Sequence, residues 1–217
     1  MSRDRRLVLV RHGRTAWNDA GRAQGHADVE LDAVGHAQAE AAAPALAALR
    51  PSALWTSDLA RARQTCGYLE RATGLAAKVD ERLREYDVGA RQGMVSQEFR
   101  DAFPEAFDSW VRGEDDVLVP GAESTADVVA RMVPALRECL GSLDDGETGI
   151  VVTHGACLKD ALFELLGWSQ QLEPSLGSMD NCAWAVLVEH PTLDRLRLTT
   201  YNQRVTGPDF ASAEGVG

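Results

Sequence analysis

Two short apolar runs, each ending on His-Gly, constrain this chain more than any other feature. The first is Leu7-Val8-Leu9-Val10 followed by Arg11-His12-Gly13; the second is Ile150-Val151-Val152 followed by Thr153-His154-Gly155. An apolar run without polar alternation is the pattern of a strand buried on both faces, as in a parallel sheet between helices. Parallel strands end at a common edge, and ligands bind outside that edge. His12 and His154 lie 142 positions apart in the chain, yet two such strands bring them to the same place.

The residues at this edge are suited to anions. Arg11 offers a planar fork of donors that matches phosphate or carboxylate, and histidine is a nucleophile at neutral pH. Gly13 would let the backbone approach an anion closely. A lone Arg-His-Gly after a strand is more often an ordinary basic turn. The second strand of the same design is what converts it into half of a site.

The remaining sequence alternates helical and extended patterns. Asp32 stands as N-cap to an alanine-rich helix from Ala33 to Leu49, with Pro51 just beyond. Ala53–Thr56 reads as a strand, Ser57 or Asp58 as the cap of a helix to Ala72 that stops at Gly74, and Ala76–Val79 as a further strand. Helical spacing covers Ser96–Trp110, interrupted at Pro104, and Ser124–Leu143. The last third gives strand 149–153, a helix over 157–167, and strands at Ala183–Val188 and Arg195–Tyr201. This order predicts a three-layer α/β/α fold around a mostly parallel sheet. Residues 1–206 read as one domain and the Gly-, Ala- and Ser-rich 207–217 as a flexible tail.

A chain of 217 residues buries a sizeable core without disulfides. Cys66, Cys139, Cys157 and Cys182 show no C-x-x-C spacing and sit in apolar surroundings, so they read as reduced packing residues of a cytoplasmic protein. No apolar run approaches the ~20 residues of a bilayer span, and the first strand starts too early for a signal peptide, so no membrane partner is expected. The net charge of −11 argues against nucleic acid as partner. Residues 1–63 nevertheless hold nine arginines against seven acids, so positive charge collects around the first motif. A cationic pocket in an acidic body attracts small anions and discourages polyanions.

Two more segments supply chemistry. Thr56-Ser57-Asp58-Leu59-Ala60-Arg61-Ala62-Arg63 leads from a strand into a helix, whose N-terminus would also lie at the sheet edge and favour phosphate. Arg61 and Arg63 point to different faces, and spacing alone leaves open which, if either, is a ligand. Leu83-Arg84-Glu85-Tyr86-Asp87-Val88-Gly89 offers Glu85 and Asp87 as acids in a glycine-bearing loop. Either acid serves as general acid or base, or pairs with Arg82 or Arg84.

RHGRTAWN (11–18), AQGHADVELDAVGHAQA (23–39), TSDLARARQT (56–65), LREYDVGARQG (83–93), PGAES (120–124) and VVTHGA (151–156) together resemble the histidine phosphatase superfamily, the branch of cofactor-dependent phosphoglycerate mutases and small bacterial phosphatases. The resemblance runs to about Tyr201 and implies the phosphoglycerate mutase-like fold. It makes His12 the nucleophile that forms a phosphohistidine. Arg11, Arg61 and His154 with Gly155 would hold the phosphoryl group; Asn18, Gln24 and Gly25 would line the substrate side; Glu85 would be proton donor and then base. Arg61 is thereby selected over Arg63. No metal and no cofactor are implied, because arginines neutralise the phosphoryl charge.

Mutases of this family carry a long insert between the Glu85 loop and the PGAES motif, whereas here only Val111–Val119 precedes Pro120. The resemblance therefore implies hydrolysis of a small phosphomonoester, of phosphosugar or phosphoglycerate type. Within the family, the composition and the segment Leu176–Trp184 resemble actinobacterial glucosyl-3-phosphoglycerate phosphatases. A phosphoglycerate mutase is the alternative reading, and a non-catalytic phosphoprotein-binding module the alternative of another class. The family's dimers suggest a homodimer. Arg14, Arg22 and His26 are candidates for outer-pocket contacts, His36 and His190 read as structural or solvated, and Trp17 as a packing residue.

Overall fold

The computed structural model describes residues 4–114, 117–190, 192–193 and 195–205, so the proposed tail lies outside the described residues. The apolar run Leu7–Val10 lies within β1 (Arg6–Arg11), the His154 run within β4 (Thr148–Thr153), and the two pair in parallel from Arg6↔Thr148 to Arg11↔Thr153. His12 and His154 are the next residue on each strand, and the His12 N–H continues the ladder to the Thr153 carbonyl at 3.0 Å. The remaining strands are β2 (Ala53–Thr56), β3 (Ala77–Val79), β5 (Trp184–Glu189) and β6 (Leu196–Gln203), in the order β3-β2-β4-β1-β5-β6. Pairing is parallel from β3 through β1; β5 runs antiparallel to β1 and to β6.

Seven helices complete the described fold: α1 (Ala16–Asp19), α2 (Ala33–Ala47), α3 (Ala60–Thr73), α4 (Ser96–Ala102), α5 (Pro104–Val111), α6 (Thr125–Gly141) and α7 (Gly155–Leu166). Each central strand sorts its side chains by parity. Val8, Val10, Ile150 and Val152 pack with Ala39, Ala43, Ala62 and Leu69 of α2 and α3. Leu7, Leu9 and Val151 pack with Met132, Leu136, Leu158 and Leu162 of α6 and α7. Both faces are covered, which is why these strands carry no polar alternation. Each fully buried aliphatic side chain contributes about 1.5–3 kcal/mol, so this central pair anchors the molecule.

Local signals place the ends. Asp32 caps α2 by accepting from the Gly35 N–H at 2.7 Å, Gly74 ends α3 in the left-handed conformation at φ 74°, and Pro104 begins α5 after α4 has ended. Two readings are corrected, and one element was not foreseen. Ser57 and Asp58 do not cap α3, which begins at Ala60 behind Leu59 without a side-chain cap; Asp58 instead holds Arg84 at 2.9 Å and Ser57 faces His154. α7 begins at Gly155, two residues earlier than its apolar spacing suggests, because His154 alone separates it from β4 and serves as its N-cap residue. The single turn α1 has no apolar periodicity to announce it and rests on a capping box between Thr15 and Asn18. Among the described residues no helix is long and apolar enough to cross a membrane.

Gly13 has a different task from anion approach. Its N–H donates to Thr65 Oγ1 at 2.9 Å, and a Cβ on it would sit 2.6 Å from the Gly35 carbonyl oxygen. A Cβ on Gly35 would lie 2.0 Å from the Arg14 carbonyl oxygen. The two glycines thus let the loop after β1 lie against the first turn of α2. Gly35→Ala is expected to destabilise the fold by roughly 1–3 kcal/mol through forced backbone separation. Denaturant unfolding measures this, and a midpoint equal to wild type would refute the close-approach account.

Candidate active site

The C-terminal end of β1, the segments 18–25, 106–114 and 117–125, the loop 83–93 and the first turns of α3 and α7 contribute to the wall of a cavity of about 610 Å³. Arg11, His12, Asn18, Gln24, Gly25, Arg61 and Glu85 all stand on its wall. The structure therefore brings together residues from five separated segments. His154 and Gly155 lie behind this wall.

His12 is 3 % exposed, and its Nδ1 lies 2.7 Å from the Gly13 carbonyl oxygen. A carbonyl only accepts, so Nδ1 carries the proton and Nε2 keeps an unshared pair. Burial, reinforced by Arg61 and then Arg11, holds the His12 pKa well below its ordinary 6.5. The neighbouring cations act in the expected direction, but desolvation is the larger cause.

His154 packs its ring 5.1 Å from that of His12. Its Nδ1 accepts from Arg61 Nε at 3.1 Å, which leaves the proton on Nε2, 2.9 Å from Ser57 Oγ. Burial and the nearby Arg61 keep this imidazole neutral as well.

Arg61 is fully buried at the start of α3 and donates to the Gly25 and Ala27 carbonyls, each at 2.8 Å. Desolvation pushes its pKa down to about 10. Arg63, two positions on, is exposed, in agreement with the choice of Arg61. Arg11 donates to the Met179 carbonyl, while its buried Nε has no partner among the described residues. A Cβ on Gly155 would press on that Nε at 3.1 Å, so glycine at the start of α7 makes room for the guanidinium.

The helix N-terminus that serves this site is that of α7, not α3. At α3 the Ala60 N–H donates to Asp28 at 2.6 Å. At α7 the Cys157 and Ala156 N–H groups donate to the two Glu85 carboxylate oxygens, at 2.8 and 3.1 Å. A carboxylate at a helix N-terminus is favoured by the exposed N–H groups and the dipole. The Tyr86 N–H adds a third bond at 3.0 Å and fixes the carboxylate orientation.

Asn18 Oδ1 accepts from the Thr15 N–H and from Thr15 Oγ1, both at 3.1 Å, so its carbonyl end belongs to α1 and its amide nitrogen remains for the cavity. Gln24 Oε1 accepts from Thr15 Oγ1 at 3.0 Å. Arg22 reaches the cavity wall but donates to the Gly93 carbonyl and Glu98. Arg14 pairs with Asp32 and Asp19 away from the wall. His26 donates from Nε2 to the Glu85 carbonyl at 2.9 Å and supports the loop. His36 meets Tyr68 at 3.1 Å, and His190 Nδ1 accepts from the Thr192 and Leu193 N–H groups.

Sequence reasoning missed several supports. Arg131 of α6 donates to the Arg82, Arg84 and Glu85 carbonyls at 2.8–2.9 Å and pairs with Glu123 of the PGAES segment at 2.7 Å. An arginine in mid-helix gives no such signal, although its partner lies in a recognised motif. Asp160, one turn beyond Ala156, accepts from the Tyr86 hydroxyl at 2.6 Å, and burial pushes its pKa up to about 6. Asn181 Nδ2 donates to the His12 carbonyl at 3.0 Å.

The sequence matches the family model of the Histidine phosphatase superfamily (branch 1) over residues 7–203. The chain belongs to this superfamily. It is similar to glucosyl-3-phosphoglycerate phosphatase of Mycobacterium tuberculosis, with 39 % identity over 201 residues and 87 % of each chain covered. It is also similar to a metal-independent phosphoserine phosphatase of Arabidopsis thaliana, with 39 % identity over 157 residues, 70 % of this chain and 65 % of the other. A solved structure of mycobacterial glucosyl-3-phosphoglycerate phosphatase with VO3 superposes at TM-score 0.82 and 35 % identity, covering 91 % of this chain and 98 % of that one. The superposition shows that this chain has the fold of a histidine phosphatase.

Stability should depend on pH through the buried imidazoles. In the unfolded chain a histidine takes up a proton below its ordinary 6.5; folded His12 and His154 do not, so stability present above that value is lost as pH falls. Each histidine contributes a slope of about 1.4 kcal/mol per pH unit, and Asp160, with its folded pKa raised to about 6, opposes them between the unfolded carboxylate range and 6. Between pH 6 and 5 the unfolding free energy of wild type is expected to fall more steeply than that of His12→Asn, by about one histidine slope. Equal slopes from denaturant titrations would mean that folded His12 binds a proton.

Proposed function

We propose that the chain is a metal-independent phosphatase that hydrolyses a small phosphomonoester through a phosphohistidine on His12. The observation that carries this reading is the His12 tautomer: Nδ1–H is committed to the Gly13 carbonyl, which leaves the Nε2 pair beside the Arg11 and Arg61 guanidiniums. In the first step Nε2 attacks phosphorus, a P–N bond forms and the ester P–O bond breaks. Glu85 gives a proton to the departing oxygen. Its Oε2, which accepts only the longer bond from Ala156, is the oxygen free to carry that proton.

In the second step water attacks phosphorus, Glu85 takes the water proton, the P–N bond breaks and inorganic phosphate leaves. The charge on the equatorial oxygens is met by Arg11, with its unpartnered Nε, and by Arg61, held in place by Gly25, Ala27 and His154. Preorganised donors of this kind are the main source of catalysis in phosphoryl transfer. In this reading His154 acts chiefly through Arg61, whose Nε it accepts from. The names of the phosphatase relatives support a phosphorylated metabolite of the phosphosugar or phosphoglycerate type as substrate. A homodimer in this reading would pair along β6, the longer of the two edge strands.

His12→Ala is expected to lower phosphate release at least about 10³-fold while the thermal midpoint stays within a few degrees. Turnover retained by that variant would remove His12 from the reaction. Glu85→Gln should slow alkyl phosphates about 10²-fold and aryl phosphates far less, since a good leaving group needs little protonation. Loss of equal size on both classes would take the acid role from Glu85. EDTA should leave both wild-type rates unchanged, and phosphate release should need no bisphosphoglycerate priming.

A further inference from the structure

The far wall of the catalytic cavity holds an arginine that the reaction as proposed does not use. Arg91 is the last residue of the turn Gly89–Arg91 after Glu85 and lines the same cavity as His12. Its guanidinium lies in the angle between two aromatic rings, 4.5 Å from the Phe99 centroid and 4.2 Å from that of Trp110. Those rings belong to α4 and α5 and stand 6.0 Å apart, edge to face. They fix the guanidinium and shield it from water, as cation–π pairs do.

Among the described residues no carboxylate answers this cation. Its Nε is buried and has no partner among the described residues. Burial pushes its pKa down to about 10, and no described acid offsets it. The acids of the same cavity are committed elsewhere: Glu114 to Arg112 at 2.6 Å, Glu123 to Arg131 at 2.7 Å, Glu173 to Lys159 at 2.5 Å, Asp87 to the Gly89 N–H at 2.9 Å, Asp160 to the Tyr86 hydroxyl at 2.6 Å, and Glu85 to the N–H groups of α7. Arg11 and Arg61 of the same cavity likewise form no ion pair with a described residue, and in the proposed reaction both meet an anionic ligand. Desolvating a charge without a partner is costly, so such a group is maintained where a ligand supplies the opposite charge.

We propose that Arg91 receives a carboxylate of the substrate, so that the preferred phosphomonoesters carry a carboxylate beside the phosphate. A single guanidinium balances a single negative charge and offers a planar edge that matches a carboxylate. A second phosphoryl group would carry nearly twice that charge, and at the catalytic end such a group faces two arginines. The aromatic corner favours an apolar stem between the two anionic ends. This inference rests on the phosphatase reading and adds a recognition element to it.

The test compares 3-phosphoglycerate with its methyl ester, which keeps the phosphate and leaving oxygen but removes the second charge. Wild type should favour the acid over the ester by roughly 10- to 100-fold in kcat/KM, mainly through KM. Arg91→Met, which keeps bulk against the two rings, should bring that ratio below about three. Arg91→Lys, which keeps charge but loses the fork, should leave an intermediate ratio. A wild-type ratio near one overturns the inference whatever the variants do, including the case where Arg91→Met does not fold. A wild-type preference that persists in folded Arg91→Met overturns it too. If wild type releases phosphate from no phosphomonoester, aryl phosphates included, it is the phosphatase reading that fails.

Discussion

The parallel pairing of β1 with β4 is the constraint on which the rest of the molecule depends. With Arg11 opposite Thr153, the next residue of each strand is a histidine, and the two imidazoles stand 5.1 Å apart at the sheet edge. A slip of one residue would exchange the faces of Leu7, Val8, Leu9 and Val10, which pack against opposite helical layers. Core packing and site geometry are therefore fixed by the same register. Thr153 at the end of β4 extends this control, because its hydroxyl donates to the Leu83 carbonyl at 2.7 Å and ties the Glu85 loop to the strand.

Electrostatics at that edge follow from burial. Two imidazoles and two guanidiniums crowd a space with little water, and desolvation is the largest influence on all four. The imidazoles respond by staying neutral, since they are the groups able to lose a proton near pH 7. The guanidiniums remain charged and are satisfied in part by carbonyls of Met179, Gly25 and Ala27. In the proposed reaction a phosphoryl dianion completes this balance, and a neutral His12 with its Nε2 pair unshared is the state that attacks it. Glu85, seated on the N–H groups of α7, is the acid proposed for the same edge.

The central strands were legible in the sequence because burial on both faces leaves an uninterrupted apolar run, and caps such as Asp32 and Gly74 announce themselves chemically. The start of α3 was not, because Ser57 and Asp58 look like caps but are claimed by His154 and Arg84, contacts that only the folded chain creates. Gly13 was misread for a related reason: its neighbour is Gly35, 22 positions away, and no local pattern reveals that approach. Among the site residues, those at strand ends and in motifs could be named in advance. Arg131 and Asp160 could not, because a helical residue acquires its meaning from the element packed against it.

The most direct measurement is to quench the enzyme during turnover of a phosphomonoester under conditions that preserve phosphoramidates, and to locate the phosphoryl group by mass spectrometry and 31P NMR. The account predicts one phosphorylated peptide containing His12, with phosphorus on Nε2, because Nδ1 is held protonated by the Gly13 carbonyl. Phosphorus on Nδ1, or on any residue other than His12, would contradict it.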